Sequence, residues 1–137
     1  IAVHEICLLA SEHMKASGGG SIINITSIGS ELGFAGNPGY VSSKGGLKML
    51  TKALANDLAE FNIRVNNIAP GYIRTDMTKG SYEDQVLNQD RVDRMIIKRW
   101  GDVGDLSGAA ILLASEASSY ITGIDLFIDG GWTAKGL

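Results

Sequence analysis

One cysteine, Cys7, and two prolines are all that this 137-residue chain has of either type. A single cysteine excludes an internal disulfide and fits a reducing compartment, so the cytoplasm is the expected location. Set among apolar helix neighbours, Cys7 reads as core filler rather than as a nucleophile. Basic charge is scarce too. Twelve Lys and Arg against 15 Asp and Glu give a net charge of −3, with no basic run, which argues against a nucleic-acid partner. No apolar stretch approaches the length of a membrane span, and no secretory signal pattern opens the chain, so no membrane partner is expected. His4 and His13 have no matching ligand set elsewhere, and no metal site is expected. What the chain does have is glycine, 18 residues, in a sequence 45% hydrophobic and 20% charged. Those values suit one soluble globular unit able to bury a core.

Periodicity lays out alternating helices and strands. Residues 1–16 carry Val3, Cys7, Ala10 and Met14 at spacings of 4, 3 and 4, an amphipathic helix that Gly18-Gly19-Gly20 stops. Residues 21–26 form a continuous apolar strand of the kind covered on both faces. Residues 27–38 read as a loop. A long helix is expected from Gly39 to about Phe61, with Leu47, Leu50, Leu54, Leu58 and Phe61 as its apolar stripe and Lys48 and Lys52 on the wetter side. After a turn at Asn62, Ile63–Ile68 reads as a second strand that Pro70 and Gly71 break. Strand, helix and strand make the βαβ unit of a parallel sheet, so the expected class is α/β. Residues 76–99 look polar and irregular, either a lid over a substrate or a solvated helical excursion. Asp102–Ser115 reads as a helix with Leu106, Ala109, Ala110, Leu112 and Leu113 inward. Ile124–Ile128 is a last strand, closed by Asp129-Gly130-Gly131-Trp132.

Chemistry concentrates between Ser27 and Lys44. Ser27 stands at the carboxyl end of the first strand, where open α/β sheets place ligands. Tyr40 and Lys44 lie four apart at the start of the long helix and share a face. A free tyrosine has a pKa of about 10, too high for a base at neutral pH. A nearby ammonium favours the phenolate and brings a tyrosine toward the working range. A serine hydroxyl can hold a substrate oxygen in line with the phenol. Together the three residue types can move a proton on or off an alcohol or carbonyl oxygen.

With Ser27 set 13 positions before Tyr40, the stretch resembles the short-chain dehydrogenase/reductase family, in which Ser, Tyr and Lys have this spacing. The resemblance extends over essentially the whole chain. Asn66, Pro70, Gly71 and Thr75 match the family's Asn-x-x-x-Pro-Gly-x-x-x-Thr stretch, and a Tyr-x-Thr-Gly turn and an Asp-Gly-Gly close follow. It implies an oxidoreductase interconverting a secondary alcohol and a carbonyl with NAD or NADP. Tyr40 is then the acid/base, Lys44 tunes it and binds the cofactor's ribose, and Ser27 positions the substrate oxygen. Pro70, Gly71, the Ile73 backbone and Thr75 hold the nicotinamide end. Within the family, S-E-L-G, K-M-L-T, P-G-Y-x-x-T-x-M-T-K and R-W-G-D look most like gluconate 5-dehydrogenases, which act on sugar acids. The basic residues Arg91, Arg94, Lys98 and Arg99 would suit a carboxylate.

The family's T-G-x-x-x-G-x-G and Asn-Asn-Ala-Gly stretches are absent, and its helix asparagine would fall just before Ile1. The expected domain is therefore 1–137 as the carboxyl-terminal half of a Rossmann-type doubly wound parallel sheet, its amino-terminal half missing, and the chain alone is expected to be inactive. Two other readings stand beside the first: a 3-oxoacyl-carrier-protein reductase, which shares the catalytic stretch, and a non-catalytic piece of such a fold. Val41, Gly45, Met49 and Ala53 lie off the main stripe of the long helix and leave a second packing surface. That surface, with the resemblance, implies a homo-oligomer, a tetramer when full length.

Overall fold

Apolar runs at three places in the chain build one parallel sheet in the computed structural model, which describes residues 2–135. Its strands β1 (Gly20–Ile25), β2 (Ile63–Pro70) and β3 (Asp125–Ile128) lie side by side in that order. Ile22 stands opposite Val65, Ile25 opposite Ile68, and Ala69 opposite Phe127. β2 runs two residues further than its composition indicates. Pro70 takes the last register position, opposite Ile128, where a missing N–H is tolerated.

The helices are α1 (Ala2–Ala16), α2 (Pro38–Leu58), α3 (Lys79–Glu83), α4 (Gln85–Arg94) and α5 (Ser107–Ala114). α1 and α2 cover one face of the sheet, where Cys7, Leu54, Ala55 and Leu58 pack on Ile22, Ile63 and Val65. α5 covers the other, where Ala109 and Leu113 pack on Ile68 with Ile23 and Leu126 beside them. Covering on both faces explains why β1 and β2 read as apolar runs rather than as alternating ones.

Several sequence expectations shift by part of a turn. In α1 the buried positions are Cys7 and Ser11, while Val3 is exposed. Ser11 tolerates burial because its hydroxyl donates to Leu8 O at 2.7 Å. α2 starts at Pro38, whose fixed φ suits the first helical turn. It tightens into a 3-10 turn at residues 59–61 before Asn62 takes φ 58°. That tightening rotates Phe61 off the stripe, leaving it exposed beneath the Lys15 ammonium, 4.3 Å from the ring centre. In α5 only Ala109 and Leu113, one turn apart, are buried; Leu112 stands beside that stripe and is exposed. Residues 76–94 are largely helical, and only 95–99 are irregular. Asp84 Oδ1 accepts from the N–H groups of Val86 and Leu87, both at 2.9 Å, and so caps α4.

A buried polar chain ties α2 to every strand. Asn24 Nδ2 of β1 donates to Thr51 Oγ1 at 2.9 Å, and Thr51 Oγ1 donates to Asn67 Oδ1 of β2 at 2.7 Å. Asn67 Nδ2 then donates to Asp125 Oδ1 of β3 at 2.9 Å. Asp125 lies 3.8 Å from the Lys48 ammonium, which also pairs with Glu31 in the loop after β1. Lys48, expected on the wetter side, is thus largely enclosed by its two partners. Thr51 is fully buried and serves both asparagines. Thr51→Val should destabilise the full-length protein by on the order of 2 kcal/mol or more, because two enclosed amides each lose a partner. Thr51→Ser should stay within about 1 kcal/mol, since the hydroxyl remains and one methyl is lost. Chemical denaturation of the pair checks this, and equal losses in both would remove the hydrogen bonds from the account.

Candidate active site

The carboxyl ends of β1 and β2 open onto a cleft of about 800 Å³. Ser27 stands two residues past the end of β1. Its extended backbone lets it cap a 3-10 turn over Ile28–Ser30, and its Oγ accepts from Gly29 N–H at 3.0 Å. The serine proton therefore stays available to donate, from a side chain that is itself buried. Tyr40 sits in the first turn of α2 and lines the same cleft, 38% exposed. Its ring packs over Gly29, where an added Cβ would stand 3.3 Å from the tyrosine and 3.1 Å from Phe34. Lys44, one turn further along α2, does not reach the cleft lining. Its ammonium donates to Ile25 O at 2.8 Å and lies 5.8 Å from the centre of the Tyr40 ring.

The second group of sequence candidates divides. Gly71 lines the cleft, and its lack of a side chain has a packing reason: a Cβ would stand 2.7 Å from Asp129 Cα. Ile73 is buried and faces a separate cavity of about 180 Å³ with Arg99 and Asp105. Its carbonyl accepts from Thr78 Oγ1 at 2.6 Å. Thr75 is exposed at the start of the 3-10 turn 76–78, where its N–H donates to Thr78 Oγ1 at 3.0 Å. Pro70 is the last β2 residue, and Asn66 is a structural tie. Asn66 donates to Ile121 O at 2.8 Å and accepts from Ile124 N–H at 3.2 Å, which fixes the turn before β3.

The far wall of the cleft comes from segments with weaker sequence signals. Met77, Thr78 and Ser81 line it from the turn before α3 and from α3 itself, and Arg91 and Arg94 line it from α4. Residues 76–99 thus form a wall of the cleft rather than a detached excursion. The four basic residues of this segment part company. Arg99 is committed to Asp105 by two bonds of 2.7 and 2.9 Å, which hold that carboxyl well below the usual range. Lys98 donates to Asp93 O at 2.8 Å. Arg91 and Arg94 face the cleft. Tyr72 and Trp132 were not singled out in the sequence. They line the cleft with ring centres 4.8 Å apart, and Trp100 packs on Tyr72 from behind at 5.3 Å. Burial pushes the Tyr72 phenol above its ordinary value, against the opposing pull of Arg91 and Arg94.

A family model described as enoyl-(acyl carrier protein) reductase matches residues 1–133. The 5-keto-D-gluconate 5-reductase of Escherichia coli K12 is 44% identical over 130 residues, 95% of this chain and 51% of its own length. The 2-dehydro-3-deoxy-D-gluconate 5-dehydrogenase of Bacillus subtilis is 45% identical over 127 residues, 93% of this chain and 50% of its own. Among solved structures, a gluconate 5-dehydrogenase from Burkholderia cenocepacia in complex with NADP and tartrate superposes with a TM-score of 0.89 at 42% identity. That match covers 91% of this chain and 49% of the other. A short-chain type dehydrogenase/reductase from Mycobacterium ulcerans gives the same TM-score at 32% identity, covering 92% and 46%. The chain spans about half the length of the curated relatives it matches. Its parallel α/β sheet, its Ser27–Tyr40–Lys44 spacing and these matches make it a member of the short-chain dehydrogenase/reductase family.

Proposed function

We propose that this chain is the carboxyl-terminal half of a dinucleotide-binding domain whose full-length protein interconverts a secondary alcohol and a carbonyl on a sugar acid, using NAD or NADP. The observation that carries the reading is the meeting of Ser27 and Tyr40 in one cleft at the strand ends, opposite a wall with two arginines. Oxidation of an alcohol removes one hydride and one proton. A nicotinamide bound in the cleft would supply the hydride acceptor. Tyr40 takes the proton, and Ser27 donates a hydrogen bond that holds the substrate oxygen against the phenol.

The residues present suit such a cofactor. Lys44, behind Tyr40, presents an ammonium at the end of β1 for ribose hydroxyls. Gly71 and the exposed Thr75 at the end of β2 stand where the nicotinamide end is held, with Pro70 and Ile73 setting the course of the backbone. A sugar acid is favoured over an acyl-carrier-protein thioester by the names of the relatives and by the charge of the cleft wall. We place the reaction in the cytoplasm; no helix among the described residues is long and apolar enough to cross a membrane. A homo-oligomer, in keeping with a family tetramer, belongs to the same proposal. Ile6 and Leu9 of α1 and Met49 of α2 are 64, 70 and 60% exposed, a large apolar expanse for adjoining helices to leave bare.

The test is a substrate panel on the full-length protein, with NADH and NADPH oxidation followed on keto sugar acids and on 3-oxoacyl thioesters. The reading expects kcat/KM on a keto sugar acid at least about tenfold above that on any thioester. Reduction of thioesters alone, or of no carbonyl, would overturn it.

A further inference from the structure

Sixteen residues line the cleft, and the charged ones among them are two arginines, Arg91 and Arg94, with no carboxylate. The one acid that serves both is Asp90, behind them. Arg91 Nη1 lies 2.5 Å from Asp90 Oδ2, and Arg94 Nη2 lies 3.0 Å from Asp90 Oδ1. Two guanidiniums against one carboxylate leave one positive charge uncompensated at the wall. Tyr72 does not supply the missing anion, because a phenol is neutral near pH 7 and burial pushes this one further from ionising.

The two arginines are held differently. Arg94 is 62% exposed and reads as a solvated partner of Asp90. The Arg91 side chain is only 24% exposed, and its guanidinium lies over the Tyr72 ring, 5.0 Å from the ring centre. Tyr72 is in turn wedged between Trp100 and Trp132, so Arg91 rests on a packed aromatic platform that directly follows the end of β2. Its Nε is enclosed and has no acceptor among the described residues. Enclosed donors without acceptors are rare, and an arginine's Nε–Nη2 edge is one of the two that match a carboxylate with parallel hydrogen bonds.

Building on the oxidoreductase reading above, we infer that Arg91 is the residue that recognises the carboxylate of the substrate, with Asp90 and Tyr72 holding its guanidinium in place. A substrate carboxylate drawn from the cleft onto the Arg91 guanidinium supplies the missing negative charge. A neutral sugar of the same length leaves that charge uncompensated, so the site discriminates by charge. Arg91 therefore acts on specificity at the end of the substrate remote from the reacting oxygen, and its removal should be felt mainly in KM.

Arg91→Gln, Arg91→Lys and Arg94→Gln, each in the full-length protein, test this with two readouts. The first is kcat/KM for a keto sugar acid and for the neutral ketose of equal length. The second is gluconate binding read by tryptophan fluorescence, which Trp132 in the cleft wall makes sensitive to occupancy. Arg91→Gln should lower kcat/KM on the acid by about 100-fold, chiefly through KM, and leave the neutral ketose and the cofactor KM within about threefold. It should weaken gluconate binding at least tenfold or so, Arg91→Lys should recover part of that, and Arg94→Gln should change it less. Gluconate affinity equal in Arg91→Gln and wild type, or no gluconate binding by the wild type at millimolar concentration, overturns the assignment. Gluconate binding that depends on Arg91 in a protein that reduces no carbonyl would leave the carboxylate site standing and bring down the oxidoreductase reading instead.

Discussion

Tyr40→Phe in the full-length protein is expected to lower turnover by about 10²–10⁴-fold while leaving the cofactor dissociation constant within a few-fold of wild type. The exchange removes one oxygen and keeps the ring. That ring is held by its packing over Gly29 beside Phe34, so the geometry of the loop after β1 should survive. Ser27 remains to hydrogen-bond the substrate oxygen, but a serine hydroxyl has no means of exchanging a proton with it at neutral pH. The rate should fall without a matching change in KM, the pattern of an interaction made in the transition state alone. Single-turnover kinetics with a keto sugar acid and NADPH would check it, and turnover within a few-fold of wild type would end the assignment of Tyr40. Lys44→Ala should behave differently. It removes the ammonium that donates to Ile25 O at the end of β1 and a partner for the ribose, so the cofactor KM should rise along with the fall in rate.

The sequence made the site's near wall legible and left much of the far wall unread, for physical reasons. Ser27, Tyr40 and Gly71 each follow a strand or open a helix with a strong periodic signal, so their place at the strand ends could be read from β1, α2 and β2. Residues 76–99 carry no apolar stripe, because α4 has no buried residue to mark a period. The one local clue there is Asp84, a capping residue whose role shows only once α4 exists. Which arginines of that segment face the cleft depended on tertiary partners. Asp105 claims Arg99, and it lies six residues away across a turn. Trp132 gave no signal because an Asp-Gly-Gly turn aims it, and turns carry no period. Thr51 illustrates the opposite failure. A threonine among leucines in α2 reads as an interruption of the stripe, yet it is fully buried where β1 and β2 each present an asparagine to α2.

The 137-residue chain expressed alone is expected to show no saturable binding of NADH or NADPH up to about 1 mM, which corresponds to less than about 4 kcal/mol of binding free energy. In doubly wound folds the cofactor's pyrophosphate rests on a glycine-rich turn at the start of a helix. Among the described residues no G-x-G-x-x-G turn joins a strand to a helix: the loop from β1 to α2 spaces its glycines at 29, 33 and 36, and Gly18-Gly19-Gly20 ends α1 and leads into β1, the reverse order. On the proposed reading, what remains is the nicotinamide end, which Tyr40, Lys44 and the residues after β2 would hold, a small part of a dinucleotide. The sheet itself works against the isolated chain. Among the described residues β1 pairs with β2 on one side only, so its other edge presents unpaired backbone. Ile25 at the end of that edge is 50% exposed, and Ile6 and Leu9 of α1 are barer still. An open parallel edge beside exposed apolar helix faces favours self-association, so the isolated chain should scatter light and bind a hydrophobic dye at micromolar concentration. Calorimetric titration with both reduced cofactors measures the affinity directly. Micromolar binding by a monomeric, dye-negative chain would mean that the nicotinamide end and a three-stranded sheet suffice, and the division of labour between the two halves of the domain would have to be redrawn.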